Sequence, residues 1–144
     1  MAVRVRLRIE AARSGRIVET SALVNTGFET ERPQLLIPKK LAVELGLWPP
    51  PIEAEAVILG TAGGPSRLYL IKDGLRVAIL SNGYSTDVKI CDALISDIEE
   101  EVLINDKLGE DLGIVIERMA AGEWRMMTDP PNKRRMSEKP EYWR

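Results

Sequence analysis

The chain has no histidine, a single cysteine (Cys91) and a single phenylalanine (Phe28) among 144 residues. Without an imidazole, neither a Ser-His-Asp nor a Cys-His nucleophile has its proton acceptor. Catalytic zinc sites rest mostly on His ligands and structural ones on Cys/His sets, so no transition-metal centre and no cofactor is expected. A lone Cys closes no disulfide, which suits a reducing compartment. Neither sign of charge is in excess: 20 Lys+Arg face 22 Asp+Glu, a net charge of −2. That balance argues against a nucleic-acid partner and against a basic membrane-surface protein. No apolar run approaches ~20 residues, and Met1-Ala2-Val3-Arg4-Val5-Arg6 lacks the apolar stretch of a signal peptide. The expectation is a soluble cytoplasmic protein without a membrane partner. Any catalysis falls to carboxylates, Lys, Tyr, Ser/Thr or backbone groups.

What is present reads as β structure in one domain. Val3, Val5, Leu7 and Ile9 alternate with Arg4, Arg6, Arg8 and Glu10, the period of a half-buried strand. Ser14-Gly15 turns into a second strand over 16–24, and Leu35-Leu36-Ile37 is a short apolar strand. Pro38 suits the first position of a short helix carrying Leu41, Val43 and Leu45, closed by Gly46. The runs 54–59 and 66–71 flank Gly60-Thr61-Ala62-Gly63-Gly64, a long hairpin with a glycine-rich tip. Lys72-Asp73-Gly74 and Asn82-Gly83 predict turns around a strand over 75–80. Further strands are expected at 88–95 and 102–104, a helix at 106–112 closed by Gly113, and a last hairpin from 114–116 and 124–127. Residues 128–144 carry five basic and three acidic residues and little to bury, so they predict a mobile basic tail on a 1–127 domain.

Several patterns carry no site. Gly60 to Gly64 lacks the Gly-Lys-Ser/Thr ending of a phosphate loop, and Pro65 and a strand follow it. Asp97 with Glu99-Glu100-Glu101 matches no calcium loop and reads as a solvated turn. Trp48, Trp124 and Trp143 are too scattered for a base-stacking platform. Cys91 reads as a core filler. One internal echo stands out: residues 37–47 (IPKKLAVELGL) align with 104–114 (INDKLGEDLGI), each a strand and a short Gly-capped helix.

The segment Ser21-Ala22-Leu23-Val24-Asn25-Thr26-Gly27-Phe28 runs an apolar strand into a polar triplet ending in Gly. It resembles the active-site loop of the retroviral-type (retropepsin-like) aspartic proteases, whose pattern is apolar residues followed by Asp-Thr-Gly. The Gly60–Gly64 tip resembles the family's flap. Leu103-Ile104-Asn105 with the helix to Leu112-Gly113 resembles its second apolar-apolar-Gly loop and helix. The likeness spans about Val3 to Met127. It implies a mostly β, closed barrel with one or two short helices, acting as a homodimer with the site at the subunit interface. The implied activity is aspartic-type endopeptidase, a hydrolase acting on an extended peptide or protein substrate. Two carboxylates, one from each subunit, would share a proton and activate water.

Two departures bear on that implication. Asn25 stands where the family has its catalytic Asp, and an amide cannot act as a general base. Asn25 marks either a silenced protease or a naturally non-catalytic peptide-binding or assembly module of the same fold. Asn105 stands in place of Gly; Asn tolerates positive φ better than other residues, so the loop is expected to keep its shape. By matching positions, Thr26 would brace the two subunits' loops or simply stabilise the turn. Gly27 would admit a peptide main chain. Ala62 and Gly63 would grip the other side of the substrate, and Phe28 and Ile58 would line side-chain pockets or pack in the core. A small β-barrel of another kind that merely shares the Asn-Thr-Gly string is the remaining reading.

Overall fold

The computed structural model describes residues 2–61, 64–82 and 84–144. In chain order its elements are β1 (Arg4–Ala11), β2 (Ile17–Val24), β3 (Gln34–Pro38), α1 (Lys39–Glu44), β4 (Glu55–Thr61), β5 (Gly64–Ser81), β6 (Tyr84–Ser85), β7 (Lys89–Ser96), β8 (Val102–Ile104), α2 (Asp106–Asp111), β9 (Ile114–Arg118), β10 (Glu123–Met126) and β11 (Arg135–Met136). Strand makes up 49% of the chain and helix 9%, so the class is mostly β.

The alternation in β1 closes the molecule. Val5, Leu7, Ile9 and Ala11 are fully buried, while the arginines between them face outward. β1 pairs antiparallel with β2 along one edge and with β5 along the other. Its two edges therefore complete a ring in the order β1-β2-β8-β3-β7-β5, a closed six-stranded barrel. Leu35, Ile37, Leu75, Ile79 and Ile95 join the β1 residues in one core, and Leu41 of α1 and Leu45 just after it pack onto it. Burying each such side chain stabilises the fold by ~1.5–3 kcal/mol before chain entropy is charged against it.

At the centre of the ring, β2 runs parallel to β8, β3 runs parallel to β7, and β8 meets β3 antiparallel. This palindromic order gives the barrel a local two-fold relation, and the internal echo falls on it. β3 leads into α1 and β8 into α2, and each helix is followed by a glycine at positive φ, Gly46 at 72° and Gly113 at 76°.

Two segments differ from the sequence expectation. Residues 72–74 do not separate two strands; β5 runs on for 18 residues with a register shift between Ile71 and Leu75. The first part of β5 pairs with β4 and the last part with β1, so this bulge lets one strand serve both the hairpin and the barrel. A Cβ on Gly74 would lie 2.8 Å from Ile71 Cγ2, so the bulge has no room for a side chain. The second difference is the segment 128–144, which is laid against the barrel rather than free of it. β11 pairs with β10. Ser137 Oγ accepts from Arg4 N, Glu138 N donates to Arg4 O, and Glu141 bonds both the backbone N and the hydroxyl of Ser21. The Trp143 indole donates to the buried Thr20 hydroxyl at 3.1 Å. The composition of this segment is polar, yet its polar groups have fixed partners on β1 and β2, and these overcome the entropy of ordering it.

Candidate functional site: the Asn25 loop

β2 delivers the loop. Val24 N donates to Val3 O and Asn25 N to Ile104 O, so the strand's ladder continues one residue beyond its end. There the side chain takes over. Asn25 Oδ1 accepts from Gly27 N at 3.1 Å, and Phe28 N donates back to Asn25 O at 3.1 Å, which closes a tight turn. A Cβ on Gly27 would approach Asn25 Oδ1 to 3.4 Å, so Gly27 keeps the carboxamide uncovered rather than supplying an unusual φ. Asn25 is half-buried; Thr26 and Gly27 are exposed.

The start of α2 grips the loop from the other side. Asp106 N donates to Phe28 O, and Asp106 Oδ1 accepts from Thr30 N. Asn105, fully buried, caps α2 by accepting from Leu108 N at 2.9 Å, and the same oxygen accepts from Gln34 N. Its amide nitrogen donates to Thr30 Oγ1 at 2.8 Å and to Arg32 O at 2.9 Å. Asn105 has φ −78° and ψ 175°, an extended conformation open to any residue, so no left-handed turn is needed there. It holds the loop through its side chain, a role glycine could not fill.

A buried carboxylate extends this brace. Asp92 accepts from Arg32 Nε and Nη2, from Gln34 Nε2 and from Asp73 N. Burial pushes its carboxyl up, but the Arg32 guanidinium and the two further donors outweigh burial and hold it below the ordinary value of 3.8. Thr30 donates to Gln34 Oε1, so residues 30–34 are bonded to both β7 and α2.

Beside the loop lies an apolar face outside the barrel core. The registers Leu23↔Leu103, Leu36↔Leu103, Leu36↔Leu94 and Leu70↔Leu94 set leucines side by side across β2, β8, β3, β7 and β5. Phe28 packs against this cluster, as do Val57 and Leu59 from β4. Ile58, between those two on the strand, is 73% exposed and faces away from the cluster that Phe28 joins. The sequence reading named Phe28 and Ile58 but not this leucine face. The segments 22–24, 35–37, 93–95 and 102–104 that carry it are apolar at every position, so no alternation separates the inner face from the outer. Ala62 and Gly63, expected to grip substrate, lie outside the described residues.

Thr26 lines a second feature, a cavity of about 190 Å³ bounded by Val24, Ile114, Ile116 and Met127. Met127 is 65% exposed, and β9 bonds β10 on one edge with no partner strand on its other edge among the described residues.

Chemically, the loop offers backbone groups, a hydroxyl and a carboxamide whose oxygen is already bonded. Among the described residues no group of three or more His, Cys, Asp or Glu is placed to hold a metal ion, and no helix is long and apolar enough to cross a membrane. The class that the fold and the site define is thus a closed, mostly β barrel with a braced strand-to-turn Asn-Thr-Gly loop beside an apolar face. Compared with protein-family models and with curated protein sequences, the chain matches none.

Proposed function

We propose that the chain is the subunit of a homodimeric, retropepsin-like aspartic endopeptidase scaffold in which Asn25 occupies the place of the water-activating Asp. The observation that carries this reading is the placement of Asn25-Thr26-Gly27. The triplet ends a barrel strand at an apolar face packed under the β4–β5 hairpin, with the position-25 side chain fixed by Gly27 N–H. An Asp there would accept the same bond. An extended peptide would lie between the loop and the hairpin, bound by main-chain hydrogen bonds with its side chains against the leucine face. A second subunit would meet the first at Thr26, the apolar cavity beside it and the open edge of β9.

The carboxamide has no ionisation to supply, so water is not deprotonated, and loss of acid–base help alone costs ~10²–10⁴ in rate. The seating of Asn25 also favours a second reading, a non-catalytic peptide-binding module, because its amide oxygen is used in the turn without a carboxylate.

Asn25→Asp separates the two. The expected result is cleavage of a mixed peptide library between pH 4 and 7, inhibited by pepstatin and absent from the parent chain. A folded, dimeric Asn25→Asp protein without cleavage would falsify the endopeptidase reading and leave the module. A monomer at every concentration in sedimentation overturns the shared dimeric site.

A further inference from the structure

Residues 137–143 fill two places where the ladder of the barrel stops short. β1 pairs with β5 only from Arg6 onward, so the β5 side of the strand is vacant at Arg4. Val3 O accepts from Val24 N across to β2, and successive residues of a strand alternate sides, so Arg4 N and O turn to the vacant side. There Ser137 Oγ accepts from Arg4 N at 3.0 Å, and Glu138 N donates to Arg4 O at 2.9 Å. The second vacancy is on β2, whose pairing with β8 begins at Ala22. One residue earlier, Ser21 N donates to Glu141 Oε1 at 2.7 Å, and Glu141 N donates to Ser21 Oγ at 3.0 Å. Between these anchors Glu141 also accepts from Arg6 Nη1 on the outer face of β1 at 3.1 Å. Trp143 N then donates to Glu100 O, just before β8, at 2.7 Å.

The three strands gripped in this way are those that hold the root of the Asn25 loop. β1 supplies Val3 O for Val24 N, β2 leads into Asn25, and β8 supplies Ile104 O for Asn25 N. Arg4 adjoins Val3, Ser21 lies on β2 shortly before Asn25, and Glu100 lies shortly before Ile104. The Arg4–Glu101 ion pair, 2.5 Å and mostly buried, ties the first strand directly to the approach to the third. Asn105 and Asp106 grip the loop downstream, at Phe28, Thr30, Arg32 and Gln34. The 137–143 segment grips it upstream.

This upstream grip is also the part best suited to letting go. Trp143 is the one residue of the segment that packs against the main core, and it is half-buried. The Glu141 side chain is 47% exposed, Tyr142 is exposed, and the approach over residues 130–134 is exposed throughout. Few buried apolar contacts and accessible hydrogen bonds define a unit that opens at lower free energy than the core.

We propose that residues 137–143 act as a releasable clasp on the root of the Asn25 loop. Docked, the clasp holds the ends of β1, β2 and β8 in register; released, it lets the root fray while the barrel core and the α2 brace persist. Any molecule that binds the released segment in preference to the docked one shifts the loop by the same linkage, without touching it. The clasp acts on the loop whether that loop cleaves a peptide or only binds one.

Native-state amide exchange of the full chain, followed by NMR, tests the coupling. In the double change Glu141→Ala with Trp143→Ala, the Val24 and Asn25 amides should exchange about tenfold or more faster than in the parent. Leu108, bonded to Asn105 Oδ1, and Leu45, bonded to Leu41 O beside the distant β1–β2 turn, should keep their rates. Ser137→Ala removes the acceptor for Arg4 N and leaves Trp143 in place, and should give the same pattern more weakly. Equal acceleration at all four amides is a general loss of stability and overturns the clasp. A faster Glu138 amide with unchanged Val24 and Asn25 overturns it too, as does a double variant in which no amide changes.

Discussion

Replacing Asn105 by alanine tests the claim that α2 braces the Asn25 loop through one buried carboxamide. Four hydrogen bonds disappear together: those from Gln34 N and Leu108 N, and those to Thr30 Oγ1 and Arg32 O. Loss of the helix cap costs about 1 kcal/mol. A buried Gln34 N–H left without a partner costs ~1–3 kcal/mol, whereas the Arg32 carbonyl still has the Thr30 hydroxyl 3.0 Å away. The expected destabilisation is about 2–4 kcal/mol, a large share of a typical domain's stability. At ~2–4 °C per kcal/mol, that is a fall in Tm of roughly 4–16 °C. Asn105→Asp keeps the two acceptor contacts but sets a carboxylate oxygen against the Arg32 carbonyl in a buried site, so its expected cost at neutral pH is no smaller. Asn25→Ala, on the exposed loop, should cost about 1 kcal/mol or less. Urea unfolding followed by circular dichroism measures all three. An Asn105→Ala protein within about 1 kcal/mol of the parent at an unchanged m-value, or one no less stable than Asn25→Ala, refutes the brace.

Two further outcomes follow from the groups around β7. Asp92 is held below its ordinary value of 3.8, so its contribution to stability is present above about pH 4 and is lost as pH falls through the lower folded value. Arg32→Ala removes the strongest opposition to burial, so acid destabilisation should begin at higher pH than in the parent. Matching profiles of urea midpoint against pH would show that Arg32 does not set the titration. Next to Asp92, burial first and the carboxylate second push the Cys91 thiol up, far from thiolate formation at neutral pH. Native protein should therefore react with a thiol reagent at pH 8 only as fast as it unfolds, and a rate equal to that of free cysteine contradicts the core placement.

The barrel was legible because the β1 alternation is strict and because 37–47 and 104–114 repeat a strand, helix and glycine. What escaped depends on partners remote in sequence. Asp73-Gly74 has the composition of a turn, and only β7 alongside, with Asp92 Oδ1 accepting from Asp73 N, makes it a bulge within one strand. Ser137, Glu141 and Trp143 read as tail residues because nothing local announces that Arg4, Ser21 and Thr20 will meet them. The Asn25 loop was visible as a motif, whereas the leucine face beside it was hidden in runs that are apolar on both sides.

Asn105 was misjudged for a subtler reason. Comparison with a glycine-containing loop directs attention to φ, while the physical content lies in the side chain. An Asn followed by Asp106 in a helix's first turn is a capping signal in its own right. The two asparagines then divide the work of the site. Asn105, itself buried, spends all its side-chain hydrogen-bonding capacity on four partners and cannot change without cost. Asn25 uses one oxygen in a half-exposed turn that an isosteric carboxylate would also satisfy. The rigidity of the loop therefore resides at Asn105, remote in sequence though adjacent in space, and an acid at position 25 would find the same Gly27 N–H.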